Sequence, residues 1–113
     1  MSDCIFCNII EKKLPSKAVY EDENFYAFHD IHPQAPVHIV VVPKKHLTSC
    51  MDLKEGDVEM AGRLLLTINR IAEEIGLKNG YRTVINTGPD GGQTVSHLHC
   101  HLLGKRRLQW PPG

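Results

Sequence analysis

Three histidines at alternate positions, His97, His99 and His101, carry the most chemical meaning in this sequence. Alternate side chains of a strand share a face and lie roughly 6.5 to 7 Å apart. The spacing predicts three imidazoles along one side of a strand, with Leu98, Cys100 and Leu102 turned into the core on the other. Any polar residue would satisfy an amphipathic strand, so three rings that titrate near neutral pH point to chemistry. A neutral imidazole attacks phosphorus well near pH 7 and later leaves easily as a cationic ring. Just before the triad runs Gly88-Pro89-Asp90-Gly91-Gly92-Gln93, whose glycines let main-chain N–H groups close on an anion. Alone, such a loop is only a hairpin turn. Beside three histidines it becomes a candidate phosphate site, with N–H donors placed to stabilise charge on non-bridging oxygens.

A second constellation is Cys4-Ile5-Phe6-Cys7. Two thiolates at this spacing supply half the tetrahedron of a structural zinc site and need two more ligands. The same pair also reads as part of a buried helix face. A thioredoxin-like redox role fits poorly, because that motif opens a helix after a strand, which seven residues cannot supply. Cys50 and Cys100 lack a partner motif and read as structural.

The elements that must position these groups follow from the hydrophobic pattern. Asp3 or Ser2 is placed to cap a short helix over 4–12, which Pro15 ends. Segments 18–21 and 25–30 form a hairpin around Glu21-Asp22-Glu23-Asn24. The β-branched run 38–42, bounded by Pro36 and Pro43, predicts a third strand buried on both faces. From 55 to 75, Val58, Ala61, Leu65, Ile68, Ala72 and Ile75 follow helical spacing, and Gly76 stands where a C-cap glycine belongs. Segments 81–87 and 94–103 complete five strands. The expected fold class is α+β, a mostly antiparallel sheet with one long and one short helix, covered by helix on one face.

A chain of 113 residues holds one core, so 1–113 reads as a single domain. With 42% hydrophobic residues, 23% charged residues, and 13 basic against 13 acidic side chains, it carries no net charge. That balance argues for neither a nucleic-acid nor a membrane partner. The start Met1-Ser2-Asp3-Cys4 lacks the basic residues and apolar stretch of a secretory signal, and a cytoplasmic location with reduced cysteines is expected. Lys44-Lys45 and Lys105-Arg106-Arg107 read as solvated surface, although the second run follows the histidine strand. His32 has no assigned role.

The segment His97-Leu98-His99-Cys100-His101-Leu102-Leu103 resembles the motif that names the histidine-triad family. The likeness extends through Phe28-His29-Asp30-Ile31, Pro33-Gln34-Ala35-Pro36, Pro43-Lys44-Lys45-His46, Gly91-Gly92-Gln93 and Trp110-Pro111-Pro112-Gly113. These resemble the Hint branch, the purine nucleoside phosphoramidases. The resemblance implies a homodimer whose two five-stranded sheets join, with a nucleotide site in each subunit. By position His99 is then the nucleophile and His101 a phosphate contact, while His97 and His38 complete the catalytic set. Asp30 would hold the ribose hydroxyls, for which an ionised carboxylate with two accepting oxygens is suited. Ile5, Phe6, Ile9, Phe28, His29 and Ile31 would surround the base, and Asn86, Gly92, Gln93 and Thr94 would lie beside the phosphate. The branch often has Ser where this chain has Thr94; the extra methyl bears on which leaving groups fit.

Zinc-bearing relatives complete the CxxC pair with histidines at the positions of His46 and His97, which implies a structural zinc ion on Cys4, Cys7, His46 and His97. Many Hint-branch members lack these cysteines, so this chain leans toward the zinc-bearing pattern. The implied activity is hydrolysis of a nucleoside phosphoramidate to monophosphate and amine through a nucleotidyl-histidine. Hydrolysis of dinucleoside polyphosphates, nucleotidyl transfer, and a zinc-stabilised nucleotide-binding scaffold with little turnover remain open as alternatives. Gln93, Thr94, Ser96 and the Trp-Pro-Pro-Gly tail, which in this branch approaches the partner's site, favour the first.

Overall fold

Asp22 shows how local chemistry starts the sheet: its Oδ1 accepts the N–H groups of Asn24 at 2.7 Å and Phe25 at 2.8 Å, closing the turn between two strands. In the computed structural model, which describes residues 2–113, those strands are β1 (Ala18–Glu21) and β2 (Phe25–His29). β3 (Val37–Pro43), β4 (Arg82–Val84) and β5 (Cys100–Gly104) complete a sheet of order β1-β2-β3-β5-β4, antiparallel at every pairing. The α+β expectation holds, and β3 is buried on both faces as its composition predicts. Met1 of the predicted domain lies outside the described residues.

Strand alternation divides the core into two clusters. Phe25, Ala27, Ile39, Val41, Cys100 and Leu102 pack against the long helix α2 (Val58–Glu74) through Leu64, Ile68, Ile71 and Ala72. Tyr26, Phe28, Val40 and Val42 face the other way and meet Phe6 and Ile9 of the short helix α1 (Ile5–Ile10). Helix therefore covers both faces of the sheet, not one. The cap of α1 also differs from expectation: Cys4 is the N-cap, its Sγ accepting the Cys7 N–H at 3.3 Å, while Ser2 serves the Cys4 N–H. At the far end of α2, Gly76 adopts φ +79° and Leu77 N–H reaches the Ala72 carbonyl at 2.9 Å, a glycine-dependent stop.

Two expectations need correction. The buried stripe of α2 is Leu64, Thr67, Ile68, Ile71 and Ala72, whereas Val58 and Leu65 are exposed together with Leu66. The helix is apolar on two sides, and periodicity alone did not say which side met the sheet. The last strands are also shorter than 81–87 and 94–103. Residues 97–99 lie outside the sheet, with His97 in a bend, and pairing with β3 begins at Cys100, opposite Val41. Instead Leu98 N–H donates to the Leu47 carbonyl at 2.7 Å. Among the described residues no helix is long and apolar enough to cross a membrane.

Candidate functional site

The α1 face of the sheet gathers the histidines. Each ring is fixed by a hydrogen bond that also decides which nitrogen carries the proton. His97 Nε2 lies 2.8 Å from the Pro43 carbonyl, which can only accept, so the proton sits on Nε2 and Nδ1 presents a lone pair. His99 Nδ1 lies 2.6 Å from the His97 carbonyl, so Nδ1 donates and Nε2 is left with its lone pair. Gln34 N–H donates to His38 Nδ1 at 3.0 Å, which puts the proton of a neutral His38 on Nε2. That Nε2 lies 2.9 Å from His101 Nδ1 and donates to it, leaving His101 with its own N–H at Nε2. Burial pushes His38 and His101 below the ordinary histidine range, opposed in both by Asp30; the neighbouring rings add to the lowering at His101. Both are neutral near pH 7, as the tautomer argument requires.

Around this array the site is apolar below and acidic at one side. The His99 and His101 rings are 5.1 Å apart between centroids, and Phe6 meets His99 edge-on at 5.0 Å. Phe6 also contacts Phe28 at 5.6 Å, so the short helix floors the histidine array. Asp30 Oδ2 stands 3.4 Å from His38 Nε2 and 4.0 Å from His101 Nδ1, while Oδ1 accepts the His32 N–H.

On the other side of His97 the four expected metal ligands converge. His97 Nδ1 is 3.3 Å from Cys4 Sγ, 3.6 Å from Cys7 Sγ and 3.0 Å from His46 Nδ1, and Cys7 Sγ is 3.3 Å from His46 Nδ1. Bonds of about 2.0 Å to nitrogen and 2.3 Å to sulfur place tetrahedral ligand atoms roughly 3.3 to 3.8 Å apart, so the group is able to hold a metal ion with little movement. The His97 tautomer fits as well, its lone pair aimed inward and its N–H held by a backbone carbonyl. Burial, then the Cys4 side chain, pushes the Cys7 thiol up to about 11, which a cation replacing the proton would reverse.

The glycine loop is built for close backbone approach. A Cβ on Gly91 would strike the Thr87 backbone, and Gly92 sits at φ +78°. Gln93 spends its side chain on the loop, accepting from Gly88 N–H and donating to the carbonyls of Thr48 and Val95. Its amide groups hold the loop's shape.

Of the other expected site residues, Phe6, Ile9 and Phe28 are buried beneath the histidines, and Ile5 is half-exposed. Thr94 joins Ile5 and Ser96 along a cavity of about 670 Å³ beside the cysteines. His29 is exposed and follows Phe28, so its side chain alternates away from it. Ile31 is 86% exposed; Asn86 is partly buried and Gly92 exposed. Sequence reasoning missed three backbone partners, the carbonyls of Pro43 and His97 and the amide of Gln34. Main-chain groups leave no mark on residue identity.

A family model for the HIT domain matches residues 11–108. An uncharacterized HIT-like protein of Synechococcus elongatus is 54% identical over 111 residues, covering 98% of this chain and 97% of that protein. A 14 kDa zinc-binding protein of Zea mays is 50% identical over 114 residues, covering 99% of this chain and 89% of that one. Among solved structures, a HIT family hydrolase from Legionella pneumophila Philadelphia 1 superposes with a TM-score of 0.96 at 44% identity, covering 98% and 100% of the two chains. With its triad, fold and near-complete alignments in agreement, the chain belongs to the HIT domain family, the histidine-triad proteins.

Proposed function

We propose that this protein hydrolyses purine nucleoside phosphoramidates, such as derivatives of AMP or GMP, with His99 as the nucleophile. The observation that carries this reading is the 2.6 Å hydrogen bond from His99 Nδ1 to the His97 carbonyl, which leaves Nε2 as the attacking lone pair. Nε2 forms a bond to the α-phosphorus, and the P–N bond breaks with its electron pair going to the departing nitrogen, which leaves as the amine once protonated. Water then displaces His99 from phosphorus and releases the monophosphate. His101 Nε2–H and the amides of the glycine loop donate to the non-bridging oxygens as their charge builds. Asp30 Oδ2, 3.4 Å from His38 Nε2, has a further lone pair to accept from ribose hydroxyls, and Phe6, Ile9 and Phe28 offer an apolar wall to the base. The resemblance to the Hint branch and the likeness to a HIT family hydrolase support the same reading.

A zinc ion on Cys4, Cys7, His46 and His97 supplies a structural cross-link when bound, tying α1 to the segment that carries His99. The donor set and the zinc-binding relative both support it. We place the protein in the cytoplasm, where both thiols stay reduced. A second copy of the chain is the partner. β4 is a free edge strand of three residues, and Val58, Leu65 and Leu66 of α2 are exposed with Tyr81 and Ile85 close in sequence to that edge. Pairing there joins two sheets and covers the apolar side of α2.

The test is hydrolysis of adenosine phosphoramidate by wild type and by His99→Ala, following AMP release. Turnover by wild type, lost in a folded variant that still binds AMP, supports the nucleophile. A wild type that binds AMP and cleaves nothing overturns the enzymatic reading in favour of a nucleotide-binding scaffold.

A further inference from the structure

A second cleft lies at the far end of β5. It encloses about 810 Å³ between the turn Gly76–Gly80 and the segment after Gly104, and four cations line it: Lys78, Lys105, Arg106 and Arg107. No acidic residue does. The two walls are distant in sequence and meet because Gly104 has no side chain; a Cβ there would strike Leu77. Lys105 then turns the chain out of the strand at φ +68°.

Two of the cations are held in place. Lys105 Nζ donates to the Gly76 carbonyl at 3.2 Å, and Arg106 Nε donates to the Gln34 carbonyl at 3.0 Å. The first contact complements the negative end of α2 and explains that lysine structurally. It does not explain the other three. The whole chain carries 13 basic and 13 acidic residues, so a cleft of four cations without a carboxylate is a local concentration of charge, and concave walls focus its field. Arginine forks recognise phosphate or sulfate in a plane, and the volume is that of a small-molecule pocket.

We propose that this cleft binds a compact polyanion bearing two or more phosphate or sulfate groups, at a site separate from His99. A single monovalent ion would engage only one wall, whereas a multiply charged ligand spans Lys78 on one side and Arg107 on the other. Gly104 lies five positions beyond His99, about 17 Å along an extended chain, so the two ligands do not overlap. The inference does not depend on the hydrolytic reading.

The experiment is amide-resolved NMR titration of the zinc-loaded full chain with tripolyphosphate, and with sucrose octasulfate as a polyanion that is a poor zinc ligand. Saturable shifts centred on Gly76–Gly80 and Lys105–Arg107 are expected, unaffected by prior saturation with AMP. Lys78→Glu and Arg107→Glu should each weaken binding about tenfold or more, Arg107→Lys, which keeps the charge and loses the fork, should weaken it less than Arg107→Glu, and AMP affinity should stay unchanged in all three. Shifts centred on Gly88–Thr94 and displaced by AMP, shifts that do not saturate, or wild-type affinity in both charge-reversal variants would overturn the proposal. Failure here leaves the His99 assay untouched, since that assay reads a different site.

Discussion

The two faces of β5 are one residue apart and chemically opposite. Cys100 and Leu102 are fully buried against Ile68 and Ile71 of α2, and burial pushes the Cys100 thiol up to about 12, so it stays neutral and inert. His101, between them, is also kept neutral by burial, yet its nitrogens are fixed by His38 and its outer N–H is available. Low polarity acts on both faces alike. What separates them is the covering helix. α2 has seventeen residues and closes its face with branched apolar side chains, whereas α1 has six and covers only part of the other. A helix of six residues is too short to persist alone and depends on packing, a cap and the metal cluster. The larger buried cluster lies on the α2 face, and the α1 face, with the smaller one, is left partly uncovered around the histidines.

Matched truncations should separate the faces. His99→Ala is expected to cut phosphoramidate turnover about a thousandfold or more with the melting temperature nearly unchanged, read by steady-state kinetics and thermal unfolding. Ile68→Ala, on the α2 face, should cost about 2–5 kcal/mol in denaturant unfolding while the folded fraction keeps its kcat. If Ile68→Ala instead lowers kcat per folded molecule as severely as His99→Ala, the faces are not independent.

The metal cluster sharpens the same contrast, because it belongs to the weaker helix. Cys7→Ser should reduce bound zinc from about one per chain to almost none, measured by elemental analysis, and cost about 2–3 kcal/mol, the scale of a ligand held near a hundred times its dissociation constant. Hydrogen exchange should accelerate in α1 and around 97–99 and stay slow in α2. Smaller still for the protomer is Leu65→Glu on the exposed side of α2. It should leave the fold intact and halve the mass seen by sedimentation, since Leu65 is 60% exposed in the protomer and lies in the dimer seam we propose.

The contrast also marks what the sequence made legible. The triad, the CxxC pair and the central strand could be placed because side-chain identity and period 2 or 3.6 carry that information. The choice of buried side on α2 could not, because Leu64 and Leu65 are the same residue type and the helix is apolar on both sides. The extent of β5 was overestimated because side-chain alternation continues back through His97 while pairing with β3 stops at Cys100, opposite Val41. The tautomers of His38, His97 and His99 rest on main-chain atoms, which only the fold reveals. Gln93, legible as a loop residue beside the phosphate site, proves to spend its side chain on the loop itself.

Acid should weaken the histidine face first. His38 and His101 have folded-state values below the ordinary 6.5, so between that value and the folded one the unfolded chain binds more protons than the native state. Stability then rises with pH across this window and is lost as pH falls below about 6.5. One full proton of difference corresponds to a slope of about 1.4 kcal/mol per pH unit, and these two rings, whose lowering Asp30 opposes, together should give a fraction of it. Denaturant midpoints between pH 7.5 and 5.5 measure the slope, and His38→Gln should flatten it by removing one titrating ring from the buried pair. Asp30, 3.4 Å from His38, opposes the lowering, so Asp30→Asn should steepen the acid loss. A wild-type midpoint flat across this range would mean that Asp30 balances the burial of both rings. Neutrality of His38 and His101, on which their assigned tautomers depend, would then not hold through the mildly acidic range.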